Sequence, residues 1–169
     1  MRNLLSKTVS TPAQDLALLV ARVVLGTVLI AHGWQKLSDQ GLDATAAGFD
    51  AMGIPAPLAA AYYATFVELV GGVLLVAGLL TRVVGVLVVG DMLGAFWFVH
   101  RDGGIFVADG GWELVAVIGA LALGLVAAGA GRISIDAGFT RATGVALSPQ
   151  ALPAADEPDR ERDGVLSHR

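Results

Sequence analysis

Four long apolar runs, separated by short polar segments, constrain this chain more than any other feature. They cover residues 16–34, 58–80, 83–99 and 112–130. A helix of about 17–25 apolar residues, rising about 1.5 Å per residue, crosses a hydrocarbon core of about 30 Å. The sequence therefore predicts an all-α fold, an integral membrane four-helix bundle in contact with the lipid bilayer.

The composition supports a membrane protein. Hydrophobic residues make up 55% of the 169 residues and charged residues only 15%. A soluble domain has about 45–50% and about 25% respectively, and so short a chain has little interior to bury the excess. A secretory signal peptide is the alternative for the first run, but that run carries Arg22 and ends in His-Gly-Trp, not in a small-residue cleavage site.

The basic residues predict a multi-pass cell-membrane protein with both termini cytoplasmic, because cytoplasmic loops are enriched in Lys and Arg. Residues 1–15 would form a cytoplasmic segment, residues 16–136 the core and residues 137–169 a disordered acidic cytoplasmic tail. Residues 43–52 could form a short amphipathic helix at the interface. One side of the core carries Arg2, Lys7, Arg82, Arg132 and Arg141, and the other carries Lys36 and Arg101.

Several function classes are disfavoured. The chain has no cysteine, which excludes a disulfide, a thiolate metal site and thiol redox chemistry on its own residues. No basic stripe with interleaved aromatic residues indicates nucleic acid as a partner. No catalytic or nucleotide-binding motif and no soluble domain large enough for a conventional active site is present. We therefore expect no independent catalytic activity.

Four ionisable residues, Arg22, Glu68, Asp91 and Glu113, lie inside the apolar runs. A charge at the bilayer centre costs about 2.5–3.5 kcal/mol on insertion scales, so these side chains should point inward and pair. Residue counts along the helices favour a cluster of Arg22 with Asp91, Glu68 or both. Two carboxylates against one guanidinium leave a surplus negative charge, and the simplest resolution is that one acid is protonated. Such a cluster could serve a proton relay or bind a polar head group.

A second cluster is expected at the outer end, from His32, Lys36, His100 and Glu113. His32 and Lys36 share a helix face, and a His32–Glu113 or Lys36–Glu113 pair could form. Haem or metal ligation by the two histidines is the less favoured alternative, because no carboxylate–histidine motif supports it, and we predict no metal site. For both clusters a purely structural role stays open. Gly90 and Gly94 form a GxxxG pair that favours packing within the bundle, with homo-oligomerisation as the alternative.

A set of short motifs in a fixed order resembles the DoxX family of small bacterial membrane proteins. The resemblance runs from about Leu16 to Asp136. Its pieces are Arg22-x-x-x-Gly26, His32-Gly33-x-x-Lys36-Leu37, Met52-Gly53-Ile54-Pro55, Glu68-Leu69-x-Gly71-Gly72, Gly78-Leu79-Leu80-Thr81-Arg82, Glu113 and Gly129-x-Gly131-Arg132-Ile133-Ser134-Ile135-Asp136.

The resemblance implies a four-helix membrane bundle associated with redox complexes that are quinone-linked or that handle oxidative stress. The chain would then be a membrane subunit or anchor for oxidoreductase partners. A quinone, if bound, would contact Arg22, Glu68 and Glu113, with Asp91 as a proton carrier and with His32 and Lys36 as further binding candidates; haem is not expected. A small proton-coupled transporter and a structural scaffold without activity are the alternatives.

Overall fold

A computed structural model describes residues 11–143 of the chain, so the predictions for Arg2, Lys7 and residues 144–169 lie outside the described part. The described part is all-helical and contains no strand, which confirms the predicted class. Its helices are α1 Pro12–Trp34, α2 Leu42–Ala51, α3 Pro57–Ala77, α4 Thr81–Ala95, α5 Glu113–Ala128 and α6 Ile135–Thr143. Two π-helical segments, Gln35–Gln40 and Phe96–His100, extend α1 and α4, and a 3-10 turn covers Val107–Asp109.

Local sequence signals explain the ends of the two longest helices. Thr11 and Gln14 form a capping box at the start of α1, and Pro12 occupies its first turn. Helix α3 likewise begins at Pro57, and it ends at Gly78, whose φ of +70° is readily adopted only by glycine. These signals determine where α1 begins and which residues of α3 are helical, and so which residues of the two helices can pack against each other.

Glycines bring α1 and α3 into backbone contact. A Cβ atom built on Gly26 would lie 2.6 Å from the Gly72 carbonyl oxygen, and one on Gly33 would lie 2.5 Å from the Leu69 nitrogen. No larger residue fits at these positions without moving a helix. Because apolar attraction between helices is weak in lipid, such close approach is a main source of association there. These contacts set the register of α1 against α3.

The remaining helices pack around this pair. Gly85 of α4 approaches α5 so closely that a Cβ would lie 2.7 Å from a methyl group of Val126. Leu29, Leu75, Val88 and Ile118, from four different helices, are among the members of the buried apolar core between them.

The segment after α5 ties together one end of the bundle. We call residues 131–136 the closing segment and the end where it lies the closing end. The Asp15 carboxylate accepts hydrogen bonds from the Arg132 backbone nitrogen at 2.9 Å and from its Nε at 2.5 Å. Asp136 accepts from the backbone nitrogens of Leu80 and Thr81 at 2.8 and 3.1 Å, where α4 begins. A carboxylate there also meets the positive end of the α4 dipole. The start of α1, the end of α5 and the α3–α4 turn therefore meet at the closing end.

Apolar side chains cover much of the outer surface of the bundle. Three helical stretches, Pro12–Gln40, Pro57–Ala77 and Thr81–His100, are long and apolar enough to cross a membrane. Helix α5 is apolar but shorter, with 16 residues. Large outward side chains such as Val86, Leu93 and Val117 are more than half exposed, a distribution that suits lipid as the solvent.

Three details differ from the sequence-based expectations. Residues 137–143, expected at the start of a disordered tail, lie in α6, whose Ala137 nitrogen donates to Ser134 Oγ at 3.1 Å. The turn expected at Thr81-Arg82 lies at residues 78–80, because the glycine at 78 ends α3 early. Gly90 and Gly94 do not pack a helix closely within the described chain: Gly90 faces the Tyr63 hydroxyl and Gly94 has nothing within 4 Å.

The glycine contacts predict opposite effects for two otherwise identical substitutions. Gly72→Ala places a methyl group 2.7 Å from the Gly26 carbonyl oxygen, so we expect a loss of stability of about 1–3 kcal/mol, as for other overpacked sites. Gly124→Ala has nothing within 4 Å and should be neutral or stabilising by up to about 1 kcal/mol, the usual helix-propensity gain. Thermal unfolding of both variants in one detergent measures the difference. Equal melting temperatures would contradict the proposed basis of the α1–α3 contact.

Candidate functional site

A buried ion pair between α1 and α3 is the centre of the candidate site. Lys36 Nζ donates to Glu68 Oε2 at 2.6 Å. The Glu68 side chain is 7% exposed and that of Lys36 18% exposed. A pair this far from water is held by charge-assisted hydrogen bonding, since each charge alone would be costly to bury.

The local geometry of α1 brings Lys36 into the bundle. Because Gly33 lies against Leu69, the next turn of α1 is level with Glu68. That turn belongs to the π-helical extension Gln35–Gln40 of α1. π-Helical turns occur often at functional sites.

The ion pair lines a cavity of about 560 Å³. This volume lies within the range of about 300–1,000 Å³ that is typical of small-molecule sites. The wall is mostly apolar and receives side chains from α1 to α5 and from the segments between them. Its polar and aromatic members are His32, Lys36, Phe49, Tyr63, Glu68, Asp91, Phe98 and His100. A largely apolar cavity with a few convergent polar groups is the usual form of a ligand site.

Asp91 is the second acid of this cavity. It is nine-tenths buried, and its Oδ2 atom accepts no hydrogen bond from any residue in the range 11–143. Asp91 interacts electrostatically with both Glu68 and Lys36. The nearby Tyr63 hydroxyl donates instead to the Leu87 carbonyl oxygen at 2.8 Å. The cavity therefore contains one carboxylate more than its lysine balances.

Both histidines line the same cavity, each with one ring nitrogen already bonded to the backbone. His32 Nδ1 lies 2.9 Å from the Val28 carbonyl oxygen, and His100 Nδ1 lies 2.9 Å from that of Gly110. Residues 11–143 contain no group of three or more His, Cys, Asp or Glu side chains placed to hold a metal ion. The histidines thus contribute polar edges to the cavity wall.

The structure does not bring Arg22 to the acids, contrary to the favoured cluster. Arg22 is fully buried at the closing end, where it donates to the carbonyl oxygens of Leu75, at 3.5 Å, and Ile133. Counting residues from the helix ends placed it level with Glu68, but the glycine contacts set a different register. A guanidinium suits its actual position, because its fork can reach two carbonyl oxygens at once.

Glu113 also has a different partner from those expected. Its Oε1 accepts a hydrogen bond from the Val107 nitrogen at 2.8 Å, so the carboxylate holds the loop before α5. It pairs with neither His32 nor Lys36. The structure thus unites His32, Lys36, Glu68 and Asp91 at one cavity and places Arg22 and Glu113 elsewhere.

The Lys36–Glu68 pair and the role of Tyr63 were not anticipated. One signal for the pair was present: Gly26 and Gly33 lie two helical turns apart in α1, and a glycine pair at 71–72 lies in α3. Small residues at such spacing indicate close helix contact and would have suggested the register. Nothing in the sequence distinguished Tyr63 from an interfacial aromatic residue.

The buried Lys36–Glu68 pair predicts that the losses of stability caused by substituting each residue are strongly non-additive. Lys36→Met leaves Glu68 without its cation, and we expect destabilisation of about 2–4 kcal/mol, somewhat below the roughly 3–5 kcal/mol typical of fully buried pairs because Lys36 is partly exposed. The double variant Lys36→Met/Glu68→Gln removes both charges and should recover at least half of the loss. Unfolding of the single and double variants in detergent measures the coupling. Additive losses would contradict a direct interaction.

Comparison with known proteins identifies relatives among bacterial membrane proteins. Inner membrane protein YphA of Escherichia coli (strain K12) is 31% identical over 130 residues, 73% of this chain and 91% of YphA. An uncharacterised protein of Haemophilus influenzae is 34% identical over 122 residues, 70% of this chain and 87% of that protein. CatD of Bacillus subtilis (strain 168), named as a candidate oxidoreductase, is 38% identical over 81 residues. That alignment spans 48% of this chain and only 58% of CatD. No solved structure matches the chain significantly.

The sequence profile of the DoxX family matches residues 17–101, half of the chain. The matched region contains most of α1 and the whole of α2 to α4, and therefore Lys36, Glu68 and Asp91. Together with the apolar helices and the inner membrane relative, this match confirms the family resemblance and the membrane location. The chain is a membrane protein that belongs to the DoxX family.

Proposed function

We propose that the chain crosses the membrane four times, through α1, α3, α4 and α5, with both termini of the chain on one side. The Asp15–Arg132 contact supports this topology, because it joins the start of α1 to the segment after α5. Chain ends that meet on one side require an even number of crossings. Helix α5 is short for a span, but it packs along α4 in the core.

The closing end is proposed to face the cytoplasm. Arg82, Arg132 and Arg141 lie at this end, in the first turn of α4, the closing segment and α6 respectively. At the opposite end, the charge of Lys36 is neutralised by Glu68, which leaves Arg101 as the unburied basic residue of the described loops. This distribution supports cytoplasmic termini by the positive-inside rule. With that orientation, the cavity would lie in the outer half of the bilayer.

The cavity is proposed to bind the ring of a membrane quinone, in either redox form, as part of a membrane subunit or anchor of a redox complex. The observation that carries this proposal is the Lys36–Glu68 ion pair, together with an Asp91 whose Oδ2 atom has no donor among the described residues, in a mostly apolar cavity of about 560 Å³. Such a wall can hold a flat ring and hydrogen-bond its oxygens. Arg22 and Glu113 are not included in this site, because their side chains are bonded elsewhere.

The redox association is supported by one relative. CatD is named as a candidate oxidoreductase, and it is 38% identical to this chain over 81 residues. Electrons would be exchanged with a partner protein. We propose a peripheral or membrane oxidoreductase as that partner.

Native purification tests the proposed function. The full chain is purified in mild detergent, copurifying proteins are identified by mass spectrometry, and quinone is extracted and quantified per mole of chain. We expect about one quinone per chain. The double variant Lys36→Met/Glu68→Gln, which avoids an unpaired buried charge, should retain less than a tenth of that amount. An oxidoreductase should copurify with the unaltered chain.

Asp50→Asn is the matched control, because Asp50 is an exposed acid of α2 outside the cavity wall. It should retain the quinone of the unaltered chain. If the chain is purified from native membranes that are rich in quinone and contains only lipid, that result would contradict the quinone proposal. Proton flux into liposomes that requires Glu68 would instead favour the transporter alternative.

A further inference from the structure

The charges of the cavity wall do not balance. Lys36 and Glu68 neutralise each other through their 2.6 Å contact. Asp91 is nine-tenths buried, and within residues 11–143 no donor reaches its Oδ2 atom. A buried carboxylate oxygen without a hydrogen bond is costly, so a ligand that donates a hydrogen bond there is favoured.

The neutral donors around Asp91 are already engaged. The Tyr63 hydroxyl donates to the Leu87 carbonyl oxygen, and the Nδ1 atoms of His32 and His100 lie 2.9 Å from backbone oxygens. Lys36 Nζ is bonded to Glu68 Oε2. With Asp91 ionised, the wall beside it therefore offers mainly acceptors, above all the Asp91 carboxylate.

The two redox forms of a quinone differ in the hydrogen bonds that they can make. A quinone has two carbonyl oxygens, which only accept. A hydroquinone has two hydroxyl groups, which donate, and a hydroxyl donating to a carboxylate makes a strong charge-assisted bond. The ring itself would lie against the apolar wall, which includes Phe49, Phe98 and Ile118.

We propose that the cavity selects the hydroquinone form, with one hydroxyl donating to Asp91 Oδ2 and the ring held in the apolar wall beside the Lys36–Glu68 pair. This inference rests on the proposed function, and it adds which redox form is bound and which residue selects it. The proposal concerns binding alone. Any electron transfer would need the partner oxidoreductase.

Equilibrium dialysis of the full chain in detergent, without oxygen, tests the selectivity. Durohydroquinone and duroquinone serve as probes, since they share one ring and one set of methyl groups. We expect durohydroquinone to bind at least about tenfold more tightly, the ratio that one charge-assisted hydrogen bond typically supplies. Asp91→Asn should reduce that ratio to about two or below, because its amide can donate to a quinone oxygen. Asp50→Asn should leave the ratio unchanged.

The outcomes separate this inference from the proposed function. Equal or tighter binding of duroquinone to the unaltered chain, lost in Lys36→Met/Glu68→Gln, would overturn the selectivity and leave the quinone site intact. A tenfold preference for durohydroquinone over duroquinone that persists in Asp91→Asn would overturn the role of Asp91 in selecting the hydroquinone. Binding of neither probe would overturn both. Circular dichroism and gel filtration of each variant establish that it is folded before dialysis.

Discussion

The close approach of α1 and α3 through Gly26, Gly33 and Gly72 is the constraint on which the rest of the structure depends. It places backbone against backbone, and it therefore fixes the antiparallel register of the two helices to within a turn. Two buried charges follow from that register. Lys36 comes level with Glu68, and Arg22 comes beside the last turn of α3. A bulkier residue at any of the three glycines would alter both placements.

The bundle separates its polar groups into two ends with different roles. At the closing end, Asp15, Arg22 and Asp136 bond to backbone groups of neighbouring segments. These contacts join parts of the chain that are distant in sequence. At the other end, Asp91 lines a cavity and its Oδ2 atom has no donor among the described residues. Side chains that hold backbone segments together at one end, and an acid that faces a cavity at the other, are what distinguish a structural cluster from a ligand site.

The all-helical class, the family and the membrane location could be predicted from the sequence, because apolar runs and ordered motifs are local signals. The two acids of the cavity, Glu68 and Asp91, were also expected from the sequence, because intramembrane acids are costly unless they have a role. The residues that interact with these acids could not be predicted. Pairing depends on helix register, and residue counts from uncertain helix ends gave Arg22 the place that Lys36 occupies. The π-helical extension of α1 and the loop contact of Glu113 depend on tertiary packing, which no local pattern reveals.

The cavity between the Lys36–Glu68 pair and Asp91 is proposed as a ligand site. An experimental structure of the full chain in lipid nanodiscs with excess durohydroquinone would show whether it is one. We expect density for one ring inside the cavity, with an oxygen within about 3 Å of an Asp91 carboxylate oxygen. A cavity that is collapsed or filled by side chains, with the probe bound elsewhere or absent, would contradict it.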